Sequence, residues 1–192
     1  MSTTVGLRER KKAATRQSLY EAAVRLAVEH GLENVTVEAI ADAAGVSRRT
    51  FSNYFAGKDD ALLYGEELWL RALLAAFTDR PAGESSRTAL RHAFHALHAE
   101  RGEPEPGRAA RLRLVKQHPS LLARQMARYA DFERELAELI SARDGRPEVD
   151  VRARVQAASF LTGLRVAAHL WIEQQGARSL RSVMDEVLDH LA

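Results

Sequence analysis

Apolar residues in this chain recur at i, i+3, i+4 and i+7, and strand-like alternation is hard to find, so helices are nearly all it can form. The five prolines and most of the eleven glycines fall between the periodic segments. There a ring or a missing side chain ends a helix without breaking one. Leu19, Ala22, Ala23, Leu26 and Ala27 draw one buried stripe along a first helix over roughly residues 8–30, and Gly31 stops it. The same reading predicts helices near 36–44, 48–55 and 58–78, then one carrying Leu90, Ala93, Phe94 and Leu97 and a modest one around Leu112 and Val115. A long helix begun by Pro119 follows, then two more over about 150–175 and 179–191. DRPAGESS (79–86), GEPEPG (102–107) and DGRP (144–147) are the loops. The expected fold class is all-α, with about nine helices.

A length of 192 residues, 46% of them apolar, suits one ordinary domain or a small one joined to a larger one. The expected division is 8–57 and 58–192. Only ten uncharged residues separate Arg154 from Arg165, among the longest such runs, far short of the ~20 that span a bilayer. No apolar stretch follows the first charges, so a secretory signal is not expected, and a cytoplasmic location is. Cysteine is absent, which excludes disulfide scaffolds, thiolate zinc sites and cysteine nucleophiles. His92, His95 and His98 lie at i, i+3 and i+6, too far around a regular helix to share one ion, and no metal or other cofactor is expected.

A net charge of +2 does not by itself announce a polyanionic partner, but its distribution is uneven. Arg8, Arg10, Lys11, Lys12 and Arg16 cluster against Glu9 alone, and Arg48, Arg49 and Lys58 follow. Between them lies a compact unit. Thr36 is placed to cap a helix, Ile40, Ala44, Val46 and Phe51 supply a small core, and Ala41 permits a close crossing. Gly45 allows a sharp reversal, and Ser47 caps a second helix. The outward face of that second helix offers Arg48, Arg49, Thr50, Ser52, Asn53 and Tyr54, all donors or acceptors and none a carboxylate. Arginine can grip guanine O6 and N7, and asparagine can grip adenine, both bidentately. Hydroxyls of serine and tyrosine suit phosphate oxygens, Lys58 adds a charge beside them, and the basic stretch 8–16 can track a phosphate row. On this reading Arg48→Ala relaxes sequence preference, while Lys58→Ala weakens all sequences alike and flattens the salt slope.

The stretch TVEAIADAAGVSRRTFSNYFAGKDDAL resembles the DNA-binding signature of the TetR family of bacterial transcriptional regulators, specifically over about residues 10–65. The resemblance implies an all-α homodimer whose first three helices bind DNA and whose other six bind a ligand and dimerise. Matched by position, it implies that Thr36, Ser52, Tyr54 and Lys58 contact phosphates and that Arg48, Arg49, Thr50 and Asn53 face base edges. Arg49 stands where many relatives have glycine or alanine and Ser52 where many have tyrosine, so base preferences do not transfer. LRLVKQHPSLLARQMARYADFERELAELI, followed by AASFLTGLRVAAHLW, is similar to a TetR subgroup. That subgroup includes the regulator of mycofactocin gene clusters, whose effectors are long-chain acyl-CoA esters, and it implies an apolar or acyl-type effector.

The last helix carries Leu180, Val183, Met184, Val187, Leu188 and Leu191 on one face, and its predecessor is apolar nearly all round from Val155 to Ile172. Helices with so much apolar surface need cover, and a second copy packing on 150–175 and 179–191 would supply it. The candidates for an effector site are Phe94, Leu112, Val115, Met126, Tyr129, Phe160 and Leu164, with Arg165 and His169 one turn apart in an apolar helix. Coupling is expected to run along the helix at 58–78. The reading is a repressor held on a palindromic operator and released by a small molecule. A DNA-binding regulator without a ligand is the nearest alternative, and a helical small-molecule-binding protein or enzyme with a vestigial DNA motif is a further one. No pairing of nucleophile with base and no phosphate-cradling glycine loop supports an enzyme.

Overall fold

The computed structural model describes residues 3–102 and 106–191. The described residues form α1 (Thr3–His30), α2 (Val37–Ala43), α3 (Arg48–Ser52), α4 (Lys58–Thr78), α5 (Ser86–Arg101), α6 (Pro106–Gln117), α7 (Pro119–Arg143), α8 (Val151–Glu173) and α9 (Leu180–His190). A short 3-10 turn, Leu32–Asn34, joins α1 to α2. The all-α expectation holds, and the helix ends follow their chemistry. Thr36, Ser47, Ser85, Asp150 and Ser179 each accept a hydrogen bond from a backbone N–H three residues on, opening α2, α3, α5, α8 and α9. Pro119 opens α7, where its missing N–H costs nothing. Of the loop expected at 102–107, residues 103–105 lie outside the described residues, and α6 has begun by Pro106. α3 is shorter than expected, ending at Ser52, with Asn53 and Tyr54 in the turn that follows.

The chain divides into two compact units. The first comprises the residues up to Glu67 together with Ala110–Gln125, and the second comprises Leu68–Ala109 and the residues from Met126 onward. The division differs from the expected boundary at 57/58, because the first half of α4 and the α6–α7 corner pack with the N-terminal helices. In the first unit Leu19, Ala23, Ile40, Ala41, Phe51, Phe55, Leu63, Tyr64, Val115 and Leu121 share a core. Gly65 lets α4 approach α1, for a Cβ there would collide with the Tyr20 phenol. Arg124 pairs with both Asp60 (Nη1–Oδ1 2.9 Å) and Asp59 (Nε–Oδ2 3.7 Å), while buried Gln125 donates to both Glu66 carboxylate oxygens at 2.9 Å.

In the second unit the later half of α4 packs with α5, α7, α8 and α9 around Leu73, Phe77, Leu90, Phe94, Leu136, Ile140, Phe160 and Met184. Arg143 closes the end of α4. Its guanidinium donates to the carbonyls of Phe77, Arg80 and Pro81 at 2.8–2.9 Å and lies 4.8 Å from the Phe77 ring centre. α5 holds α9 by a polar row, Arg87 to the Leu188 carbonyl, Arg91 to Asp189, and His95 Nε2 to Asp185 at 2.8 Å.

Candidate nucleic-acid interface

The reading element is built from the turn outward. At the end of α2 the N–H of Val46 bonds the Ala41 carbonyl (2.9 Å) and that of Gly45 bonds the Asp42 carbonyl (3.0 Å). This pairing reverses the chain only if Gly45 takes a left-handed conformation, and its φ is 69°. Ser47 Oγ then accepts from the Thr50 N–H at 3.1 Å and meets Thr50 Oγ1 at 2.9 Å. Phe51, 1% exposed, pins the five-residue helix to Ile40 and Ala41 and lies 5.7 Å, centre to centre, from Phe55. With its inner face fixed by one aromatic ring, α3 turns Arg48, Arg49 and Ser52 to solvent, the turn after it exposes Asn53, and Thr50 and Tyr54 are half-buried beside them.

Other expected contacts are placed differently. Thr36 and Ser47 spend their hydroxyls as helix caps, although both residues stay exposed. Arg16 and Lys58, expected to reach DNA, turn inward. Arg16 Nη2 donates to the Tyr54 carbonyl at 3.2 Å, and Lys58 Nζ donates to the carbonyls of Leu32 (2.8 Å) and Val35 (2.9 Å). Both ends of the helix-turn-helix present carbonyls that attract cations: those of Val35 and Tyr54 lie outside the helices, and that of Leu32 also accepts the Val35 N–H at 3.2 Å. One residue went unnoticed in the sequence. Glu38 of α2 holds Arg48 (Nη1–Oε1 2.8 Å), so the outward face carries a carboxylate after all, contributed by the other helix.

The expected effector residues separate. Phe94 and Phe160 are buried in the second unit, where Tyr129 and Leu164 pack against them partly exposed. Phe94 stands edge-on to Trp69 (6.1 Å) and His98 (4.4 Å). Met126 belongs to that unit and is half-buried. Val115 does not join them: it is buried in the core of the first unit. The Leu112 side chain lies outside the described residues. Arg165 and His169 correct the expectation most, since both are exposed and His169 pairs with Glu173 at 2.9 Å. A charge reaching water needs no anionic ligand. No group of His, Cys, Asp or Glu among the described residues is arranged to hold a metal ion. None of the helices of the described residues is long and apolar enough to cross a membrane.

A capped helix-turn-helix with an outward donor face, followed by a helical unit with its own core, defines a DNA-binding regulator of transcription. The chain belongs to the TetR family of bacterial transcriptional regulators: the tetR-family model matches residues 19–64, and a model described as the MftR C-terminal domain matches residues 84–192. It is 38% identical over 173 residues to the HTH-type transcriptional regulator TcmR of Streptomyces glaucescens, covering 86% of this chain and 76% of that one. It is 28% identical over 181 residues to the mycofactocin biosynthesis regulator MftR of Mycobacterium tuberculosis, covering 94% and 90%. Among solved structures, Thermus thermophilus FadR in complex with lauroyl-CoA shares the fold, with a TM-score of 0.56, 24% identity and 92% of each chain covered.

Proposed function

We propose that the chain is a homodimeric repressor that occupies a near-palindromic operator and leaves it when a small apolar or acyl-type molecule binds the second unit. The observation that carries this reading is the outward face of α3: exposed Arg48, Arg49 and Ser52 on a helix locked by Phe51, with exposed Asn53 just beyond its end. In the proposal Arg48, Arg49, Thr50 and Asn53 meet base edges in the major groove, while Thr36, Ser52 and Tyr54 meet phosphates. Two such helices, about 34 Å apart, would read successive major grooves.

The second copy has a surface to use. Most of the α9 stripe is spent inside its own unit, since Leu180, Val183, Met184 and Leu188 are buried. What remains outward is Val151 (75% exposed), Val155 (58%) and Val166 (42%) along one side of α8, with Leu191 (41%) beyond α9. Aliphatic residues so exposed on a single face fit a partner of the same kind. For the effector, the structure of Thermus thermophilus FadR in complex with lauroyl-CoA, which shares the fold, supports an acyl-type molecule. α4 gives Lys58–Glu67 to the first unit and Leu68–Thr78 to the second, which supports it as the coupling element. Release requires that the ligand bind the DNA-incompetent form more tightly.

The experiment is selection of duplexes from random-sequence DNA by the purified chain, followed by binding titrations with and without acyl-CoA thioesters of increasing length. A palindromic preference lost on adding thioester is expected. Preference without any thioester response would leave a DNA-binding regulator and remove the acyl effector. Indifference to every duplex at low salt would remove both.

A further inference from the structure

The two inward cations bracket the helix-turn-helix. At its entrance Lys58 sits in the first turn of α4 and bridges Leu32 and Val35, the residues just ahead of the Thr36 cap. At its exit Arg16 of α1 holds the carbonyl of Tyr54, two residues past α3. The Arg16 guanidinium carbon lies 5.1 Å from the Tyr64 ring centre and 5.5 Å from that of Phe55. Its Nε is buried with no hydrogen-bond partner among the described residues, so aromatic faces hold this group in place of water.

Such fastening has a physical reason. α2 has seven residues and α3 five, too short to keep their geometry unaided. A recognition helix must nevertheless be placed to within about 0.5 Å to read base edges. Cations reaching across 38, 26 and 23 residues of sequence supply charge-assisted bonds to backbone carbonyls on either side of the two short helices.

We infer that Lys58 and Arg16 are positioning residues: they set the recognition helix by gripping carbonyls at the two ends of the helix-turn-helix, and neither neutralises a phosphate. This rests on the DNA-reading function proposed above. It reverses the expectation that loss of Lys58 flattens the salt slope. A cation on a phosphate releases counter-ions when DNA binds, so its removal lowers the log–log salt slope by about 0.9 and weakens every duplex alike. A cation inside the protein leaves the slope alone and lowers affinity only where base edges must be met.

The test uses the full chain, a duplex selected from random DNA and a scrambled one, titrated over a range of salt by fluorescence anisotropy. Lys58→Met and Arg16→Met are each expected to lose about tenfold or more on the selected duplex at every salt concentration. The lines should stay parallel, with binding to the scrambled duplex within about twofold of wild type. A slope shallower by about one unit, equal loss on both duplexes, or no loss at all would overturn the inference. If the wild-type chain does not prefer the selected duplex, the DNA reading itself fails before any variant is made.

A second measurement does not depend on the variants folding. The chain has four lysines, Lys11, Lys12, Lys58 and Lys116, so selective ¹⁵N labelling resolves their ammonium groups by NMR. The Lys58 signal should exchange slowly with water in the free protein and stay put when DNA is added. A DNA-induced hydrogen-bond shift at Lys58 would place it on a phosphate and end the proposal.

Discussion

Arg48 is 72% exposed and paired with Glu38, itself 52% exposed, so its guanidinium is oriented without being buried. An exposed pair of this kind contributes little to stability, from about 0 to 1 kcal/mol, and leaves Arg48 ready to exchange a carboxylate for a guanine edge. Arg48→Ala should cost ~1–3 kcal/mol of operator binding and broaden base preference at one position, as read from affinities across a panel of single-base operator variants. Glu38→Gln removes a negative charge from the same outward face. It should tighten binding to unrelated DNA more than to the operator, which competition with bulk DNA would reveal. Thr36 and Ser47 were legible from sequence because each caps a helix within its own turn. Glu38 was not, since only the crossing of α2 and α3 brings it to a residue ten positions on. The carbonyl partners of Arg16 and Lys58 were hidden for the same reason. A basic side chain looks alike on paper whether it reaches water or a carbonyl.

At the scale of elements, the α2–α3 turn depends on the left-handed Gly45. Gly45→Ala should destabilise the chain by about 1–2 kcal/mol, the cost of placing a Cβ in that conformation, measured as a lower thermal midpoint. The loop from α4 to α5 is tied by Glu84, which accepts from Arg80 and lies 3.0 Å from His92 Nδ1. The Arg80 hydrogen bonds, aided by His92 and opposed by desolvation, hold the Glu84 carboxyl at about 2, against an ordinary 4.5. Because the folded value is the lower one, this stabilisation is complete above the ordinary carboxylate range. It fades as pH falls below about 4.5 and is gone once Glu84 is protonated near 2. Glu84→Gln should therefore flatten the acid side of a stability–pH profile in that window while leaving its neutral-to-alkaline shape unchanged, as thermal melts across pH would show. Helix positions were readable because periodicity and breakers act locally. The division into units was not, because α6 and the start of α7 join α1 through contacts far apart in sequence.

For the whole molecule the strongest expectation concerns the second copy. Val166→Glu alters a side chain already exposed in the single chain, so folding should survive while association fails. Sedimentation should then report a single subunit, and operator affinity should drop by about a hundredfold or more as two linked half-sites become independent. The sequence by itself determined the helical class, the caps and turn of the reading head, and the donor-rich face of α3. All of these follow from rules that act over a few residues. Tertiary structure alone decided which charges reach solvent and which hold backbone. It put Arg165 and His169 in water and Val115 in the core of the reading head. It also turned most of the α9 stripe inward and left Val151, Val155 and Val166 of α8 exposed. Side-chain type sets what a residue can bond to, whereas its actual partner depends on which distant segment the packed helices bring within three ångströms.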